Sequence, residues 1–135
     1  MKYIEFRGFR GFCNDINSWV YGSLVEEFNR TKSDENGKLT VYYQIYSKVS
    51  GWYCVETESV GQSTGLIDKN GNYIFEGDIV SNDRSECDLL VIFEKGQFAL
   101  KPLIKGKDYP TANIGHLEFM YLKGNAHQNP ELIYG

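Results

Sequence analysis

Leu39-Thr40-Val41-Tyr42-Tyr43-Gln44-Ile45-Tyr46 is the stretch whose reading decides the fold. Most of its residues are β-branched or aromatic; such side chains pack well on a pleated surface and lose rotamer freedom in a helix, so the stretch predicts a strand. Its alternation is apolar or aromatic at nearly every position, which predicts a strand covered on both faces. Upstream, the polar run from Asn29 to Lys38 contains Asn36-Gly37, a signal for a tight hairpin turn. Further out, Trp19-Val20-Tyr21-Gly22-Ser23-Leu24-Val25 reads as a second strand, entered from the turn cluster Asn14-Asp15-Ile16-Asn17-Ser18. Short polar side chains there satisfy backbone donors locally. Lys2-Tyr3-Ile4-Glu5-Phe6-Arg7 approaches a period of two, and Gly8 and Gly11 are expected to end it. The first two strands then form a hairpin.

From Val60 onward the texture changes to short strands between closely spaced glycines, the pattern of a small barrel. Asp68-Lys69-Asn70-Gly71-Asn72 predicts a tight turn before Tyr73-Ile74-Phe75. Gly77-Asp78-Ile79-Val80 follows, then the stretches Asp88 to Glu94 and Gln97 to Leu100 about a Lys95-Gly96 turn. Helix is expected over a turn or two at Ser23 to Arg30 and at Asn129 to Leu132, where Asn before Pro suits a helix start. The reading is all-β, with an N-terminal hairpin and meander region over 1–59 and a small barrel over 60–135.

Composition agrees. Val, Ile, Thr, Phe, Tyr and Trp together supply 43 of the 135 residues and Ala only three, which favours strands. A hydrophobic fraction of 41% and a charged fraction of 24% exclude wholesale disorder, collagen and coiled coil. The longest apolar run, Leu89 to Phe93, is far too short to cross a membrane as a helix, and Met1-Lys2-Tyr3-Ile4-Glu5 lacks the apolar core of a signal peptide. A cytoplasmic location is therefore expected. Cys13, Cys54 and Cys87 are odd in number and widely spaced, which predicts free thiols rather than a disulfide framework or a zinc site.

Nucleic-acid binding needs a concentrated cationic face, because affinity comes from counterions released by clustered Lys and Arg. The formal net charge is −4, and the one local concentration is Lys95, Lys101, Lys105 and Lys107, interrupted by Glu94 and Asp108. Solvated lysines protecting strand edges are the simpler reading.

The catalytic motifs fail on context. Gly61-Gln62-Ser63-Thr64-Gly65 has the spacing of a nucleophile elbow, but the turn at Asp68 leaves no room for the helix that must follow. Asp68, Asn70 and Asn72 imitate the first ligands of a calcium loop, yet Tyr73 stands where that loop needs glycine and Ile79 where it needs glutamate. His116 and His127 share no helical register and have no evident metal partners. An enzyme acting through Asp78, His116 or Glu118 would need these distant groups in one pocket. For Asp78 a structural role, accepting backbone N–H bonds from the turn before it, is favoured. No cofactor and no metal are expected.

The aromatics carry more. Eight Phe, ten Tyr and two Trp are a generous supply, and Tyr and Trp suit interfaces because they combine apolar area with a polar tip. Trp19, Tyr21, Tyr42, Tyr46 and Trp52 are the interface candidates, with self-association or a protein partner favoured over base stacking because few cations stand near them.

Val60-Gly61-Gln62-Ser63-Thr64-Gly65-Leu66-Ile67-Asp68-Lys69-Asn70-Gly71, with Tyr73-Ile74-Phe75-Glu76-Gly77-Asp78-Ile79-Val80, resembles the YopX family of phage and prophage proteins. The resemblance extends to Phe6-Arg7-Gly8, to Asn17-Ser18-Trp19-Val20-Tyr21-Gly22-Ser23-Leu24, and to Gly124-Asn125 with Gln128-Asn129-Pro130-Glu131-Leu132. The resemblance does not draw on residues 30–55 and 101–123. Its usual members carry an aromatic residue where Ser63 stands, which weakens the nucleophile reading further. The resemblance implies a mostly β protein whose C-terminal half is an SH3-like barrel, encoded by a phage or prophage and working in a bacterial cytoplasm, with no reaction attached. The expectation is a non-enzymatic accessory protein that forms a homo-oligomer and meets a host or phage protein, with nucleic acid as the alternative partner and no membrane.

Overall fold

The computed structural model describes residues 4–10, 19–33, 39–48, 51–82, 87–104 and 109–134; the side chains of 26–33, 39–42 and 134 lie outside the description. The chain is mostly β and divides into two compact units, Met1–Gln62 and Ser63–Gly135.

In the first unit, β1 (Phe6–Phe9), β2 (Trp19–Ser33), β3 (Leu39–Ser47), β4 (Gly51–Val55) and the start of β5 (Gly61–Ile67) pair antiparallel in the order β4-β3-β2-β1-β5. β1 and β2 form the expected antiparallel pair, with Arg7 opposite Tyr21 and Phe9 opposite Trp19. Gly8 does not end the first strand but lies inside it, because Val55 passes over that point: a Cβ on Gly8 would stand 2.6 Å from the Val55 Cβ. Ser23 to Arg30 is strand rather than helix, since Ser23, Leu24 and Val25 pair with Tyr46, Ile45 and Gln44. Ile45 and Val55 are buried. The end of β4 is tied to β1: the Glu56 N–H donates to the Phe9 carbonyl at 2.9 Å and the Phe9 N–H to Ser59 Oγ at 2.8 Å. Ser59, in a 3₁₀ turn over Thr57–Ser59, donates in turn to the Glu56 carbonyl. The expected turns at 14–18 and 36–37 lie outside the described residues.

In the second unit, the later part of β5 pairs with β6 (Tyr73–Phe75). β7 (Asp78–Ser81), β8 (Leu89–Glu94), β9 (Gln97–Pro102), β10 (Ala112–Asn113) and β11 (Tyr121–Asn125) form a five-stranded antiparallel sheet in the order β10-β9-β8-β7-β11. A 3₁₀ turn over Ile114–Phe119 precedes β11, and a short helix α1 (Glu131–Tyr134) follows it. The core is Ile74, Val80, Leu89, Val91, Leu100, Leu117 and Met120. Burying each of these side chains stabilises the unit by roughly 1.5–3 kcal/mol before entropy is counted. β8 and β9 meet in the two-residue turn that the spacing predicts, Lys95 and Gly96 having φ of 52° and 77°. Among the described residues no ladder joins β10 to β11, so the expected barrel is not closed there.

Candidate functional site

Side chains opposite one another in an antiparallel ladder share a face, so the register decides which candidate aromatics can act together. Tyr46 faces Trp52 across β3 and β4, Ser23 faces Tyr46 across β2 and β3, and Tyr21 and Trp19 lie two and four residues from Ser23. Trp19, Tyr21, Tyr46 and Trp52 therefore share one face, opposite the buried Ile45 and Val55. Trp52 is 58% exposed, Tyr21 47% and Tyr46 38%, and the Tyr46 and Trp52 rings are tilted together with centroids 4.8 Å apart. Tyr42 lies in β3 opposite Glu27, with its side chain outside the description.

Arg7 and Phe9 also belong to this face, although residue typing did not single them out. The Arg7 guanidinium stands 4.3 Å from the centre of the Trp19 ring, and the Phe9 and Trp19 rings are 5.1 Å apart. Arg7 is 7% exposed, so its charge is held beneath the aromatic surface. Cys54 lies opposite Gln44 across β3 and β4 and is exposed; neither it nor Cys87 is in a disulfide, and Cys13 lies outside the described residues. Arg7 and Cys54 could have been found from the sequence by carrying the two-residue period through β1 and β4. Among the described side chains at these register positions Arg7 is the one charged group; Glu27, opposite Tyr42, holds a position of the same face with its side chain outside the description.

The lysine cluster is only partly described. Lys95 sits in the β8–β9 turn and Lys101 in β9 opposite Leu90, both exposed; Lys105 and Lys107 lie outside the described residues. Lys123 donates to Asp88 Oδ2 at 2.8 Å, and that bond raises its pKa above the ordinary lysine value.

Asp78, a catalytic candidate, and Asp68, a calcium-loop candidate, are both occupied by backbone donors. Asp78 is buried, and its Oδ2 accepts the Phe75 N–H at 2.8 Å, as expected for a turn carboxylate. Asp68, 3% exposed, accepts from the N–H groups of Asn70 and Asn72 through Oδ1, and from the Asn72 amide and the Leu122 N–H through Oδ2. Burial pushes its carboxyl up, but these four hydrogen bonds outweigh burial and hold it below its ordinary value. The calcium-like spacing is thus a hairpin turn tied to β11. Ser63 lies within β5 opposite Phe75 and not at a strand-to-helix turn. His116 and Glu118 are exposed on the 3₁₀ turn over Ile114–Phe119, whereas Asp78 is buried, and His127 is half-buried. No group of three or more His, Cys, Asp or Glu placed to hold a metal occurs among the described residues, and no helix among them is long and apolar enough to cross a membrane.

A mostly β chain of two compact units, with aromatic side chains exposed on one sheet face of the first, is the class of protein these features define. The sequence pattern of the YopX protein family matches residues 6–134, and the chain belongs to that family. No curated protein matches the sequence. Its fold is similar to that of protein EF1440 from Enterococcus faecalis, with 22% sequence identity and a TM-score of 0.54, over 98% of this chain and 99% of that one.

Proposed function

We propose that this protein is a non-enzymatic interaction module that self-associates through the aromatic face of β1 to β4. In this reading it is a phage or prophage accessory protein of the bacterial cytoplasm, and its second unit serves as an SH3-like module for a host or phage macromolecule. The observation that carries the proposal is the shared face of Trp19, Tyr21, Tyr46 and Trp52, three of them substantially exposed. Exposed aromatics gathered on one face are what an association surface needs, because each brings large apolar area at small cost in side-chain entropy. The SH3-like reading is supported by the strand order of the second unit and by the 3₁₀ turn before its last strand.

Light scattering on the pure protein over a rising concentration series tests the proposal, with Trp52→Ser as the control. The proposal expects a mass above that of one chain, reverting to a monomer in the variant. A monomer at every concentration overturns it. Binding to single-stranded DNA whose log affinity falls steeply with log salt would instead favour nucleic acid as the partner.

A further inference from the structure

Asn70-Gly71 is one of two Asn-Gly pairs in the chain, and the other, Asn36-Gly37, lies outside the described residues. Asn70 and Gly71 are both exposed in the turn between β5 and β6. The Asn70 N–H donates to Asp68 Oδ1 at 2.9 Å, while the Asn70 side-chain amide makes no hydrogen bond among the described residues. Gly71 has φ 84°, and apart from its chain neighbours no described atom lies within 4 Å of where a Cβ on it would stand. The peptide bond between the two residues is therefore open to water. Asn72 is a contrast within the same turn: its amide donates to Asp68 Oδ2 at 3.0 Å, and the residue after it is Tyr73, whose Cβ crowds the backbone nitrogen.

We propose that Asn70-Gly71 is a site of spontaneous deamidation in the folded protein, and that the isoaspartyl product frees β11 from the turn at 68–72. In the first step the Gly71 backbone nitrogen gives up its proton to a base in solution and attacks Asn70 Cγ. The new N–C bond closes a succinimide ring, the Cγ–Nδ2 bond breaks, and Nδ2 leaves as ammonia with a proton from solvent. Water then opens the ring at one carbonyl to give aspartate or at the other to give isoaspartate. Glycine favours the attack because it has no Cβ beside the nitrogen and a freely rotating backbone.

The fold sets both the rate and the consequence. The Gly71 N–H donates to the Asp68 carbonyl at 3.1 Å, so that bond must break before the attack. Isoaspartate carries the main chain through its Cβ, which adds one carbon between residues 70 and 71. Asp68 Oδ1 holds the N–H groups of Asn70 and Asn72 on either side of that insertion, and Oδ2 holds the Leu122 N–H at 2.8 Å. The longer turn pulls the first two donors apart, and a carboxylate that follows either one leaves Leu122.

The test ages the full chain at mildly alkaline pH, folded and in enough urea to unfold it, and follows Asn70 by peptide mapping with tandem mass spectrometry. Mapping separates Asn70 from Asn36 and Asn72. Conversion of Asn70 in the folded chain is expected about fivefold more slowly than in urea, the factor for breaking one ordinary hydrogen bond, and faster as pH rises. A second Leu122 amide resonance should grow in step with isoaspartate at position 70, and should not grow in Asn70→Ser, which has no amide to lose. Asn70 is exposed, so that variant keeps the fold, which circular dichroism verifies. Folded-state conversion more than about a hundredfold slower than in urea overturns the site, because the reaction would then be waiting for large-scale unfolding. Conversion at Asn72 as fast as at Asn70 does the same. A Leu122 resonance unmoved at half conversion overturns the release of β11.

Discussion

Asp68 shows how one side chain can set a loop: its two oxygens take hydrogen bonds from three backbone N–H groups and one amide, spanning the turn at 68–72 and the start of β11. Removing it leaves those donors without their acceptor, so Asp68→Ala should destabilise the protein by roughly 2–3 kcal/mol in urea unfolding. Because its folded-state pKa lies below that of the unfolded chain, its contribution is present above the unfolded value and fades as pH falls through the folded one. Stability should therefore drop below about pH 4, and Asp68→Asn should show a shallower drop in the same range. Lys95 presents the opposite case, a side chain poorly suited to its backbone. At φ 52° it occupies a left-handed conformation that asparagine tolerates better, so Lys95→Asn should raise stability by roughly 0.5–1 kcal/mol, read from the urea midpoint.

At the scale of elements, β2 is the strand to understand, because it changes partner along its length. Residues up to Gly22 pair with β1, and those from Ser23 pair with β3. Gly22 sits at the change, where a Cβ would collide with the Tyr46 carbonyl, so Gly22→Ala should destabilise by about 3 kcal/mol or more in urea unfolding, beyond what propensity alone predicts. The reading of Ser23 to Arg30 as helix failed for a related reason. Local propensity in Ser-Leu-Val-Glu-Glu-Phe is nearly neutral, and the edge offered by β3 settled it. Elements with strong local signals were legible: the Leu39 strand, the Lys95-Gly96 turn, the turn at Asp68 and the start of the last helix after Asn129-Pro130 all lie where the residues put them. In each, the deciding interactions join residues close in sequence.

For the molecule as a whole, a net charge of −4 keeps separate copies apart at long range, so any self-association must come from a surface that shows no like charge at contact. The exposed rings of Trp52, Tyr21 and Tyr46 carry no charge, so under the proposed function raising salt should strengthen or leave unchanged the self-association, with Trp52→Ser monomeric at both salts, as sedimentation at two ionic strengths will show. Trp52 is exposed and its one ring contact described is with Tyr46, so the same variant should unfold within about 1.5 kcal/mol of the unsubstituted protein, separating loss of association from loss of fold. By itself the sequence determined the all-β class, the family, most strand positions and the short turns, because period-two patterning and turn chemistry act over a few residues. Only the tertiary structure decided that Trp19, Tyr21, Tyr46 and Trp52 share a face and that Arg7 lies buried against Trp19. Those facts depend on which strand pairs with which and in what register, and a shift of one residue would send every side chain to the other face.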